Sequence, residues 1–258
     1  MTRVLHAEWT KLRTTPGPAW LLAGLVVLTA VIGVSAVAAT RCPTGLTCPV
    51  DTAKLSLTGV LAGQAVVAIL AVLAVGTEYS TGMIRTTLTA MPRREFVLAA
   101  KAGLTGVLTL AAGAIAVGIS VLDGRLILPG RGFTAAHGFA DLSLGSGPVL
   151  RAAAGSVLYL VLVALLALGV AVLVRDSAVA IGLTLGLLYV FPVIVTFIAA
   201  TRWQRRIERY TPMAGLNIQA TTRLHSLPIS PWAGLGVLAL WAAGALLAGS
   251  LALRLRDA

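Results

Sequence analysis

Six apolar runs, at 19–39, 55–76, 102–122, 153–174, 178–200 and 231–253, constrain this chain more than any other feature. Each holds 21 to 23 residues and no Asp, Glu, Lys or Arg. An uncharged run longer than about 18 residues reads as a transmembrane helix. At a rise of about 1.5 Å per residue, these runs cross a hydrocarbon core of about 30 Å with some tilt. Lipid offers no partner to a bare backbone group, so spanning segments of this kind close their hydrogen bonds as helices. The Leu, Ala and Gly content does not show the two-residue alternation of a membrane barrel. The expected fold is an all-α membrane protein of six transmembrane helices, a single membrane domain over residues 1–258.

Composition agrees. Hydrophobic residues make up 58% of the chain and charged residues 11%, against roughly 45–50% and about 25% in soluble domains. The formal net charge of +11 suggests an anionic partner. The basic residues flank apolar runs, however, and no soluble basic domain carries them. The lipid bilayer is therefore the expected partner, and nucleic acid is not. The excess of Arg over Lys, with the Ala, Gly and Val load, points to a bacterial chain. Residues 1–39 have a basic start and an apolar run, but the run exceeds the usual 7–15 residues of a signal peptide. The sequence therefore predicts a retained first helix.

Six spans put both termini on one side. Lys and Arg divide ten against ten between the two sides, so the bias of basic loops does not orient the chain. The three cations before the first span, Arg3, Lys11 and Arg13, face only Arg41 after it. That asymmetry favours cytoplasmic termini in a bacterial plasma membrane. The same orientation puts Cys42 and Cys48 outside, where a disulfide persists. Cys42–Cys48 is the disulfide candidate, with two free thiols as the alternative. No metal site is expected there, because structural zinc takes four ligands and no His is near.

Three segments do not simply face lipid. In residues 2–15, Val4, Leu5, Trp9 and Leu12 share one helical face, with Lys11 and Arg13 at its rim. That pattern predicts an interfacial helix with Trp9 at headgroup level. In residues 77–101, Tyr79, Met83, Ile84, Leu88 and Met91 recur at helical spacing, which predicts a short amphipathic helix ending near Pro92. Its apolar face rests on lipid or enters a partner's groove. In 201–230, Arg202, Arg205, Arg206 and Arg209 make a basic outer loop before Pro212. They meet anionic headgroups or cargo, or snorkel to lipid phosphate. Small residues at Gly59 and Gly63, Gly182 and Gly186, and Gly244 and Ala248 predict close helix crossings. Pro192 predicts a kink in the fifth span.

The run Glu78-Tyr79-Ser80-Thr81-Gly82-Met83-Ile84-Arg85-Thr86-Thr87-Leu88, followed by Pro92-Arg93-Arg94 and Ala100-Lys101, resembles the hallmark loop of ABC type-2 permeases. The opening His6-Ala7-Glu8-Trp9-Thr10-Lys11-Leu12-Arg13 resembles the start of many bacterial members. The resemblance implies a cytosolic coupling helix between the second and third spans, docked on a separate P-loop ATPase subunit. Glu78, Arg85 and Arg93 would lie at that interface, and Met83, Ile84 and Leu88 would fill the partner's groove. It also implies short re-entrant helices before the last span, with Tyr210–Asn217 as the candidate, and a second permease, either a copy or a paralogue.

Several chemistries lack their residues. No G-x-x-x-x-G-K-[ST] run is present, so ATP and Mg would belong to the partner, with no cofactor in this chain. None of the nine acids lies inside the six runs, although ion-coupled carriers commonly use intramembrane carboxylates. His6, His137 and His225 fall in loops or tails, without a metalloprotease or nucleophile-elbow motif. The expectation is a transport subunit that is not itself an enzyme. It would move a hydrophobic or amphipathic drug, lipid or peptide antibiotic outward. The alternatives are an ion-gradient-driven carrier and a non-transporting assembly or sensory partner.

Overall fold

The structure is a computed structural model that describes residues 16–42, 48, 50–80, 94–134, 139, 142–197, 201–222 and 224–255. Among them the architecture is all-helical, with six helices long and apolar enough to cross a membrane. They begin with α1 (Pro16–Ala39). The second span comprises α2 (Thr52–Ser56), a 3-10 turn (Leu57–Gly59) and α3 (Val60–Ser80). Then come α4 (Arg94–Ile127) and α5 (Gly147–Val174). The fifth span joins α6 (Ser177–Leu185), a π-turn (Gly186–Val190) and α7 (Phe191–Thr196). After α8 (Thr201–Tyr210) and a 3-10 segment (Pro212–Gln219), α9 (Pro231–Leu255) closes the bundle.

Most helices run past the ends of their apolar runs. The second continues to Ser80 and the third starts at Arg94. Two expectations change as a result. Tyr79 belongs to α3, the helix of the second span. Glu78 and Asp123 also lie inside segments that qualify as spans, Thr52–Tyr79 and Phe96–Ile127. For Glu78 the physical reason is a partner: Lys101 on α4 neutralises it, so its charge does not end the helix.

α5 is the central helix, packed against α3, α4, α6 and α9. Its buried residues surround the helix, from Val149 through Tyr159 and Leu166 to Val172, as expected of a helix that is apolar all round. Between helices in lipid, close van der Waals packing supplies the attraction that water supplies elsewhere. Gly169 shows how tight this is. A methyl group there would lie 2.6 Å from the Ala245 carbonyl carbon on α9. Of the predicted small-residue pairs, Gly59 and Gly63 meet Thr29 of α1. Gly182, Gly186 and Gly244 face open space instead.

Pro192 leaves its mark one turn upstream. Proline gives no N–H to the carbonyl four residues back, and its ring presses on that carbonyl. The helix relaxes there into the wider π-turn Gly186–Val190. Tyr189, inside that turn, donates its hydroxyl to the Leu61 carbonyl of α3.

Contacts fix the direction of each span. Thr29 meets Gly59, Lys101 meets Glu78, and Ser177 meets Gly76, so α1, α4 and α6 run against α3. Tyr159 meets Gln64 and Gly169 meets Ala245, so α5 and α9 run with α3. The bundle has two ends, named here by the residues that hold them: an Arg175 end and an Asp51 end.

Candidate functional site

At the Arg175 end, Lys101 Nζ donates to Glu78 Oε1 at 2.9 Å and to the Ala74 carbonyl at 3.1 Å. The two side chains are only 5% and 3% exposed. Removing one member of a buried ion pair of this kind costs about 3–5 kcal/mol. Arg175 itself is the cap residue after α5, in the left-handed region at φ 63°. That conformation turns the chain sharply into α6, whose N-terminus Asp176 caps by accepting from Val179 N at 2.8 Å. The Arg175 guanidinium donates to the Ala252 carbonyl of α9 at 3.3 Å and lies 5.9 Å from the centre of the Tyr79 ring. Helices α3, α4, α5 and α9 are thereby cross-braced where residues 81–93 join α3 to α4.

At the Asp51 end, one carboxylate holds two distant segments. It caps α2 by accepting from Lys54 N at 3.1 Å. It also accepts from Thr221 N at 2.6 Å, Thr221 Oγ1 at 2.8 Å, Thr222 N at 2.8 Å and Thr222 Oγ1 at 3.1 Å. Burial pushes the Asp51 carboxyl up, but the hydrogen bonds from Thr222, Thr221 and Lys54 outweigh it and hold the group below its ordinary range. Arg151 on α5 donates to the neighbouring Ala220 carbonyl at 2.6 Å. Nearby, Cys42 and Cys48 are joined in a disulfide with their Cα atoms 5.9 Å apart. Cys42 N donates to the Arg131 carbonyl at 3.0 Å, which ties the bridge to the turn after α4.

Between these anchors the chain enters the bundle. Ala220 sits at Arg151, whereas the Met213 sulfur lies 3.7 Å from the Tyr159 hydroxyl. Those two levels on α5 are eight residues, or about 12 Å, apart. Pro212–Gln219 therefore rises from mid-depth back to the Asp51 end. Gly215 packs on the Tyr159 ring and Ala214 against Gly234 of α9. At its tip Tyr159 donates to Gln64 Oε1, and Gln64 Nε2 lies 3.9 Å from the Met213 sulfur. Irregular backbone at such depth is tolerated because it is buried in protein.

α8 brings the basic residues. Arg202, Arg205, Arg206 and Arg209 recur at the three- and four-residue steps of one helical face, and all four are exposed. Arg206 lies 5.5 Å from the centre of the Trp203 ring. The four arginines and Trp203 line a cleft of about 520 Å³. Pro212 parts company with them, because it is buried at the deep start of the segment that returns to the Asp51 end.

The predicted site residues therefore divide. Glu78 is buried in the bundle beside Lys101, and Tyr79 is half-buried beside Arg175. Met83, Ile84, Arg85, Leu88, Pro92 and Arg93 lie outside the described residues, as do Trp9, Lys11 and Arg13. Sequence reasoning did not reach Asp51 or its threonines. The Asp51-Thr52 start signals a cap, but nothing local names Thr221, 170 residues away. Among the described residues, no group of three or more His, Cys, Asp or Glu could hold a metal ion.

Fold and site together define a class, a multi-pass helical membrane protein with buried polar anchors at its two ends. No protein-family model matches the chain, and no curated protein matches it either.

Proposed function

We propose that this chain is the membrane-spanning permease subunit of an ATP-driven exporter of the ABC type-2 kind. The observation that carries the reading is the braced Arg175 end. The helices entering and leaving residues 81–93 are locked together by the buried Glu78–Lys101 pair. A push on the intervening segment would move α3 and α4 as one body instead of bending either. The sequence of that segment resembles a coupling helix, and a segment entering the bundle precedes the last span.

In this reading Met83, Ile84 and Leu88 dock in a groove of a cytosolic P-loop ATPase, with Arg85, Pro92 and Arg93 beside them. ATP and Mg bind the partner, not this chain. A second permease, copy or paralogue, completes the unit. The termini and the Arg175 end face the cytoplasm of a bacterium, and the Cys42–Cys48 disulfide faces out. The cargo is a hydrophobic or amphipathic molecule.

Purification in mild detergent from the native host tests the proposal. A stoichiometric P-loop ATPase should co-elute, and it should detach when Met83, Ile84 and Leu88 are changed to Ser. A chain that elutes alone, or an ATPase indifferent to that change, overturns it.

One observation favours a second reading. Charged groups inside membrane spans commonly mark ion pathways, and Glu78 and Lys101 are such groups. An ion-gradient-driven carrier would lose transport on addition of an uncoupler and keep it when ATP hydrolysis is blocked. The permease reading expects the reverse.

A further inference from the structure

The arginine face of α8 does not lie flat on the bundle's end. Tyr210, the last residue of α8, accepts a hydrogen bond through its carbonyl from the Trp241 indole N–H at 2.8 Å. Trp241 is ten residues into α9, or about 15 Å along it from Pro231. α9 runs from Pro231 to Leu255, so Tyr210 is held near the middle of that span. α8 therefore slopes inward from the Asp51 end, where α7 finishes, carrying Arg209 deepest.

Cations facing hydrocarbon at that depth are costly, and intramembrane charges almost always face a water-filled space or an opposite charge. The helix supplies one acid, Glu208, which already accepts from Gln204 Nε2 at 3.1 Å. Arg202, Arg206 and Arg209 give the stripe a strongly cationic character, and a guanidinium fork suits phosphate and carboxylate best.

Trp241 also lines a second cavity. This one, of about 510 Å³, is bounded by Leu166, Val170, Leu187, Leu240 and Gly244 among others, and its walls are nearly all apolar. It extends from Trp241 toward the Arg175 end, with Leu173 in its wall. The Trp241–Tyr210 bond thus holds the inner end of the helix that carries the cationic cleft against a wall residue of the apolar groove. Either cavity alone would suit lipid tails or loose anions. Together they match a molecule with an apolar chain at one end and a negative charge at the other.

We propose that the groove beside Trp241 and the arginine face of α8 form one path for a single-chain amphiphile with an anionic, phosphate-like head. The chain lies against Leu166, Val170 and Leu240, and the head is held by Arg206 and Arg209. This deepens the exporter reading and rests on it only for the direction of travel, groove first and arginines second.

Binding tests the path without any ATPase. The purified chain in an uncharged maltoside detergent is titrated with octyl phosphate, octyltrimethylammonium or inorganic phosphate, followed by calorimetry. Octyl phosphate should bind at least tenfold more tightly than either of the others. Arg206→Gln with Arg209→Gln should erase the preference for the anionic head. Gly244→Trp should block binding of the chain, because a Cβ at Gly244 meets nothing within 4 Å and the ring is free to fill the groove. Equal binding of the cationic and anionic amphiphiles overturns the proposal. So does inorganic phosphate binding as tightly as octyl phosphate, which would leave a headgroup site only. A stoichiometric bilayer phospholipid that octyl phosphate does not displace also overturns it, in favour of arginines paired with resident lipid. Octyl phosphate binding with no co-purifying ATPase would keep this path and reject the permease; an ATPase partner without binding would do the opposite.

Discussion

At the Arg175 end the helices are joined by charge: Lys101 to Glu78, and Arg175 to the Ala252 carbonyl and the Tyr79 ring. At the Asp51 end they are joined by one carboxylate that gathers backbone and hydroxyl donors from Lys54, Thr221 and Thr222. The first arrangement binds whole spans to one another. The second binds an inserted segment to the mouth of the bundle. Buried charge pairs fail abruptly when one member is lost, whereas a multiply bonded carboxylate gives way in smaller steps. On the proposed permease reading, the first end would transmit force and the second would shape a path.

The largest effect should come from breaking the ion pair. Lys101→Met alone should lower unfolding stability in detergent by about 3–5 kcal/mol, the cost of removing one member of a buried ion pair. Adding Glu78→Leu should recover most of that loss, since apolar replacements of buried pairs are often neutral. Thermal unfolding of the single and double variants checks this. A double variant as unstable as the single would show that the pair's charges are not what braces this end.

Asp51→Ala should cost less, about 2–3 kcal/mol, as hydrogen bonds to a charged acceptor are lost. The same site predicts a pH dependence. Its folded-state pKa is held below the ordinary 3.8. The contribution to stability is therefore complete above that ordinary value and is lost as pH falls through the lower folded one. Acid titration of unfolding should show this loss in the parent chain and not in Asp51→Ala. An identical acid limb in both would place the titrating group elsewhere.

Reducing the Cys42–Cys48 bridge removes a short covalent loop at the same end. The expected loss is about 2 kcal/mol from loop-closure entropy, measured as a shift in denaturation midpoint with and without reductant. The smallest effect belongs between the two ends. Tyr159→Phe removes the hydroxyl's bond to Gln64 and should cost about 1 kcal/mol, as interhelical bonds in membranes do. A loss as large as that of Lys101→Met would move the mechanical centre of the molecule to Met213 and its neighbours.

The spans were legible in the sequence because lipid sets one rule for every residue that touches it, so six apolar runs sufficed to place six helices. Their ends were not. Glu78 looked like the start of a loop because a charge normally ends a span, and its neutralising Lys101 lies 23 residues away on another helix. The basic character of Arg202–Arg209 was plain, but not its inward slope, which hangs on a bond between Tyr210 and Trp241, 31 residues apart. Asp51 read as a cap at most, because its decisive donors come from the far end of the chain. Periodicity reports what faces lipid; it does not report which polar groups find each other.

Site-specific photo-crosslinking tests the central claim, that the Arg175 end is where an ATPase engages, most directly. A photo-reactive residue at Ile84, in cells of the native host, should capture a P-loop ATPase identified by mass spectrometry. The same residue at Arg205, near the other end, should not. Capture of that ATPase from Arg205, or capture of none from Ile84, would contradict the account.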